Sequence, residues 1–124
     1  LRTALRLEPN DAGAHQALGT VLRQKGDMAG AGEEFKKAEE LNKARMNVQA
    51  ATLATNTGAK KLREGDVEGS IEQFRAALKL APEFAPAHYQ LALALRQRGE
   101  HAQATKEFEK ARRLDPRLKP PREE

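Results

Sequence analysis

The chain has 124 residues and a net charge of +4, with 39% hydrophobic, 32% charged and only 4% aromatic residues. That length suits one ordinary domain, but so few aromatics require burial to come from many small contacts. No window reaches about 18 consecutive apolar residues, no leader pattern opens the chain, and the absence of cysteine excludes disulfide and thiolate chemistry.

In chain order, residues 1–9 read as the end of a second helix from a truncated upstream repeat: Leu1, Ala4 and Leu7 take the helix-core positions and Pro9 closes it. Next, Gly26, Asp27, Phe35, Ala38 and Leu41 recur 39 residues later as Gly65, Asp66, Phe74, Ala77 and Leu80. The latter stretch returns after 34 residues, with Gly99, Phe108, Ala111 and Leu114 matching Gly65, Phe74, Ala77 and Leu80. In residues 85–116, Leu91, Leu95, Ala104, Phe108, Ala111 and Leu114 recur at helical steps, broken once by "RQRGEH". Each copy is therefore expected to be a helix, a tight turn and a second helix. Gly26, Gly65 and Gly99 stand where the first helix needs a left-handed C-terminal residue. Pro9, Pro82 and Pro116 follow second helices, and Pro86 suits the first turn of the next one.

These residues resemble the tetratricopeptide repeat family, whose unit is a 34-residue helix hairpin. The small positions are Gly19, Gly58 and Ala92 in the first helices and Ala31, Ser70 and Ala104 in the second, beside Phe35, Phe74 and Phe108 and then Ala38, Ala77 and Ala111. The resemblance implies an all-α fold, a right-handed superhelical stack of antiparallel helix hairpins. Its units would cover residues 12–45, a degenerate copy at 51–84 and a last copy at 85–116. Residues 46–50 would be an insertion or helix extension, and 117–124 a proline-rich basic tail. The family's large aromatic at position four is replaced by His15, Ala54 and His88, and Thr57 and Lys61 depart from the usual Leu and Tyr.

The first junction is irregular, because no proline or glycine occurs between Glu33 and Thr57. One reading is a longer first helix preceded by a turn near residues 42–45. The other is a continuous helix that separates the units and lets two chains exchange them, giving a homodimer. At the other end, Ile71 and Leu78 should face the following unit, whereas the matching Thr105 and Arg112 are polar, as a terminal repeat requires.

No catalytic, cofactor or metal constellation is apparent. His15 and His88 occupy one position in different repeats, "GAG" at 30–32 lies within a helical pattern, and "TNTGAKKL" lacks the phosphate-loop spacing. Tyr89 is the sole tyrosine and tryptophan is absent, so aromatic platforms for single-stranded nucleic acid are lacking.

The resemblance implies a non-catalytic scaffold whose first helices line a concave, mildly basic groove for a peptide or protein. The corresponding residues are Gln16, Thr20, Arg23 and Gln24, then Thr55, Asn56, Leu62 and Arg63, then Tyr89, Leu93, Arg96 and Gln97. An acidic peptide with an apolar anchor suits them, although arginines in a last helical turn also answer the helix dipole. The family's clamp for chaperone C-termini is not matched: Gln16, Thr20, Asn56, Pro86 and Gln90 supply one of its five residues. Alternatives are a regulatory or targeting appendage of an enzyme encoded upstream, or self-association through residues 42–57.

Overall fold

The computed structural model describes residues 11–119. Among these there are five helices and no strand: α1 Ala12–Gln24, α2 Met28–Arg63, α3 Val67–Leu80, α4 Ala85–Gln97 and α5 His101–Leu114. Two compact units divide the chain, Leu1–Met46 and Asn47–Glu124. The expected upstream helix end at residues 1–9 and the last residues of the tail lie outside the described residues.

The three hairpin turns are copies of one hydrogen-bonded motif. Gly26, Gly65 and Gly99 have φ of 88°, 88° and 91°, a left-handed conformation that a β-carbon would oppose. Each glycine N–H reaches back to the carbonyl of Arg23, Leu62 or Arg96, and the next N–H reaches Leu22, Lys61 or Leu95. The otherwise orphaned carbonyls at the end of the first helix are thereby satisfied. The residue after the glycine then starts the second helix. Asp27 and Asp66 accept from the N–H of Gly30 and Gly69 at 2.9 Å each, whereas Glu100 makes no such side-chain cap.

The turn expected near residues 42–45 is absent. α2 runs unbroken through them and through residues 46–50 for 36 residues, about 54 Å at 1.5 Å per residue. Local chemistry permits this, since nothing between Glu33 and Thr57 breaks a helix. Its two ends serve different hairpins, the first pairing with α1 and the last with α3.

In the unit of residues 1–46, Ala14, Gly19, Ala31 and Ala38 are buried. A β-carbon on Gly19 would lie 2.7 Å from Cε1 of Phe35, so a larger residue there requires the ring to shift. The unit of residues 47–124 repeats this contact at 2.6 Å between Gly58 and Phe74. Phe74 is fully buried, worth up to about 3 kcal/mol of apolar transfer. Around it Ile71, Leu91, Ala94, Leu95 and Ala104 form one cluster, with Leu62, Val67, Leu78 and Phe108 packed at its edge. A second cluster joins Ala51 of α2, Ala77 of α3 and Ala87 of α4. Ile71 and Leu78 thus face α4 as their apolar character requires, while Thr105 and Arg112 of α5 are exposed.

Candidate functional site

The first-helix surfaces are positioned by the hairpin contacts just described. On α1, Gln16, Arg23 and Gln24 are exposed. Thr20 is half-buried and its hydroxyl donates to the Gln16 carbonyl at 3.1 Å. The Arg23 guanidinium lies 5.8 Å from the centre of the Phe35 ring, a cation–π contact between α1 and α2.

In the unit of residues 47–124, Asn56, Arg63 and Gln97 are exposed, and Leu93 and Arg96 are half-buried. Leu62 is half-buried because it packs on the core cluster. Thr55 is a correction to the sequence reading. It is 5% exposed and its hydroxyl donates 2.7 Å back to the Ala51 carbonyl, so it belongs to the helix packing and not to an open surface. Tyr89 is engaged within the chain: its ring meets Phe108 edge-on at 5.5 Å, and its hydroxyl donates to the Lys119 carbonyl at 2.9 Å.

The acids of these helices are unevenly placed. α1, α4 and residues 47–63 of α2 contain no Asp or Glu, while their last turns carry Arg23, Arg96, and Lys60, Lys61 and Arg63. The helical acids sit on the second helices, among them Glu68, Glu72, Glu107 and Glu109, and there they alternate with bases such as Arg75, Lys79, Lys106 and Lys110. Arg98, in the last turn motif, is held by Glu100 beside it and by Glu68 of α3, at 2.8 and 3.1 Å to the two carboxylate oxygens. These hydrogen bonds, Glu100 first, raise its pKa and tie the α4–α5 turn to the start of α3.

Sequence reasoning missed a recurring polar pair. His15 Nδ1 lies 2.7 Å from Glu34 Oε1, and His88 Nδ1 lies 2.7 Å from Glu107 Oε1. The histidines replace the family's large aromatic, and each meets a glutamate 19 residues further on; that common spacing was the available signal. In the middle copy the same positions hold Ala54 and Gln73. Glu34 also accepts from Lys37 at 3.1 Å. The hydrogen bond from His15 is the main cause holding the Glu34 carboxyl below its ordinary value, with burial opposing it and Lys37 adding to it.

An open cleft of about 500 Å³ lies away from the expected residues, lined by Leu78, Pro82, Glu83, His88, Lys110, Arg113 and Leu114. Among the described residues no group of three or more His, Cys, Asp or Glu side chains is arranged to hold a metal ion, and no helix is long and apolar enough to cross a membrane.

Comparison with known proteins agrees with this architecture. A structure of MamA superposes with a TM-score of 0.53 at 24% identity, covering 93% of this chain and 64% of that one. PilF from Pseudomonas aeruginosa gives 0.52 at 28% identity, covering 94% of this chain and 51% of that one. The chain thus spans about half to two thirds of the length of these structures. No curated protein sequence matches it. The family model described as tetratricopeptide repeat matches residues 1–45 and 60–118, and the chain belongs to that family.

Proposed function

We propose that this tetratricopeptide repeat scaffold holds an acidic peptide with an apolar anchor on its first helices. The observation that carries the reading is the uneven placement of acids: three first-helix segments without one carboxylate, each ending in basic side chains, beside second helices that carry acids and bases together. A helix-dipole role explains basic last turns, but it does not require acids to be missing from every other turn of the same helices. In the unit of residues 47–124, Arg63, Arg96, Asn56 and Gln97 offer donors to carboxylates, and Leu62 and Leu93 present partly exposed apolar surface. Arginine suits this task because its planar fork meets a carboxylate through two hydrogen bonds.

The test is a peptide array of short acidic sequences, each with one aliphatic or aromatic residue, set against amide-for-acid versions. Binding that needs the carboxylates, falls as salt rises and is lost in Arg63→Glu and Arg96→Glu supports the reading. Equal retention of acidic and amide peptides would overturn it, provided circular dichroism shows both variants to be as helical as the parent.

A further inference from the structure

The residues after α5 turn back onto the hairpin they leave. Asp115 N–H donates to the Ala111 carbonyl at 2.8 Å, and Leu118 N–H donates to the Asp115 carbonyl at 3.1 Å, closing a turn. Arg117 braces that turn, donating to the Asp115 carboxylate from its backbone N–H at 3.1 Å and from its guanidinium at 2.9 and 3.3 Å. The turn directs the chain onto α4. Leu118 is half-buried, and the Lys119 carbonyl accepts the Tyr89 hydroxyl at 2.9 Å. A first-helix residue expected to meet a peptide thus meets this chain's own backbone.

Tyr89, Leu93 and Arg96 follow one another at steps of four and three residues, so they share one face of α4. Arg96 takes part in no ion pair among the described residues. Beyond Lys119 the sequence reads Pro120, Pro121, Arg122, Glu123 and Glu124. Leu118 followed by two carboxylates is the chemistry proposed for the peptide, an apolar anchor with acids. The lengths match as well. Adjacent prolines favour an extended run of about 3.1 Å per residue, which lets Glu123 reach about 12 Å from Lys119. Arg96 stands about 10 Å along the helix from Tyr89. We propose that residues 118–124 are a built-in competitor for this face of α4, latched at Tyr89 and supplying Glu123 and Glu124 to Arg96. The inference rests on the peptide reading and adds its regulation: an incoming acidic peptide must displace the chain's own acidic segment. Tethering makes a weak competitor effective, because it supplies a local concentration on the order of millimolar.

The first arm of the test needs no added peptide. In NMR spectra of the full chain at low salt, combining Glu123→Gln with Glu124→Gln should shift the Arg96 Nε–H resonance and leave that of Arg75, exposed on α3, in place. Tyr89→Phe, which removes the latch but keeps the ring, should shift Arg96 in the same direction. An Arg96 signal indifferent to both changes overturns the inference, whatever the peptide array shows. The second arm adds an acetylated peptide "LKPPREE", copying residues 118–124. It should bind the double variant about tenfold more tightly than the parent, the advantage of a site relieved of its tethered competitor. Equal affinity for the two proteins overturns the competition. An Arg96 shift beside an array in which carboxylates make no difference would sink the peptide reading alone, so the two failures are told apart.

Discussion

His88 is clasped from two sides: its Nδ1 lies 2.7 Å from Glu107 Oε1 and its Nε2 lies 2.8 Å from the Pro82 carbonyl oxygen. A carbonyl can only accept, so Nε2 donates to Pro82. One side chain thereby fastens α4 both to α5 and to the loop after α3. His88→Ala is expected to cost about 2 kcal/mol, because it leaves the Pro82 carbonyl without this donor and the largely buried Glu107 carboxylate with Lys110 alone. Urea denaturation measures this, and Glu107→Gln, which keeps an acceptor oxygen, should cost less.

The His15–Glu34 pair gives a pH dependence whose sign follows from the lowered Glu34 value. A carboxyl held lower in the folded state than in the unfolded one stabilises above its ordinary value, 4.5 here, and that contribution is lost as pH falls through the folded value. Melting temperature should therefore fall more steeply in the parent than in Glu34→Gln on acidification from about pH 5 to pH 3. Parallel curves for the two proteins would deny the pair this role.

Gly58→Ala sets helix propensity against packing. Alanine gains about 1 kcal/mol of propensity over glycine in a helix interior, yet its β-carbon would stand 2.6 Å from the fully buried Phe74 ring. Overpacking of this kind costs about 1–3 kcal/mol and should win. Gly19→Ala should be milder, since Phe35 is only half-buried and has room to give way. Thermal melts of the two variants should fall in that order.

Gly65→Ala tests the turn and not the core. A β-carbon added there would meet nothing within 4 Å, so any cost comes from the φ of 88°, expected at about 1 kcal/mol. Amide exchange should speed up at Asp66, whose N–H closes the motif on the Lys61 carbonyl.

The hairpins were legible because glycine, proline and small-residue positions answer to short-range rules. A left-handed turn needs glycine, a helix end tolerates proline, and Phe74 can approach its neighbouring helix only where that helix has no side chain. Absence of acids from the expected surface positions could be read the same way, residue by residue. Other features depended on what lies across space. Thr55 looks like a surface residue from its spacing, but packing buries it and its hydroxyl turns back to its own helix. Tyr89 reads as an open anchor until Phe108 and the Lys119 carbonyl are seen to occupy it. The pairing of His15 with Glu34 and of His88 with Glu107 joins residues 19 apart on different helices, beyond the reach of any helical period.

Sequence alone determined that this protein is a set of helix hairpins of the tetratricopeptide type, since turn chemistry and the 34-residue recurrence are local properties of the chain. It also showed that nothing between Glu33 and Thr57 would stop a helix. Only the tertiary structure decided that α2 continues through that stretch, because a helix former permits but does not compel continuation, and the outcome rests on what each end packs against. The same holds for the exposure of Leu53: an apolar residue invites burial, but the neighbouring helices determine whether it is covered.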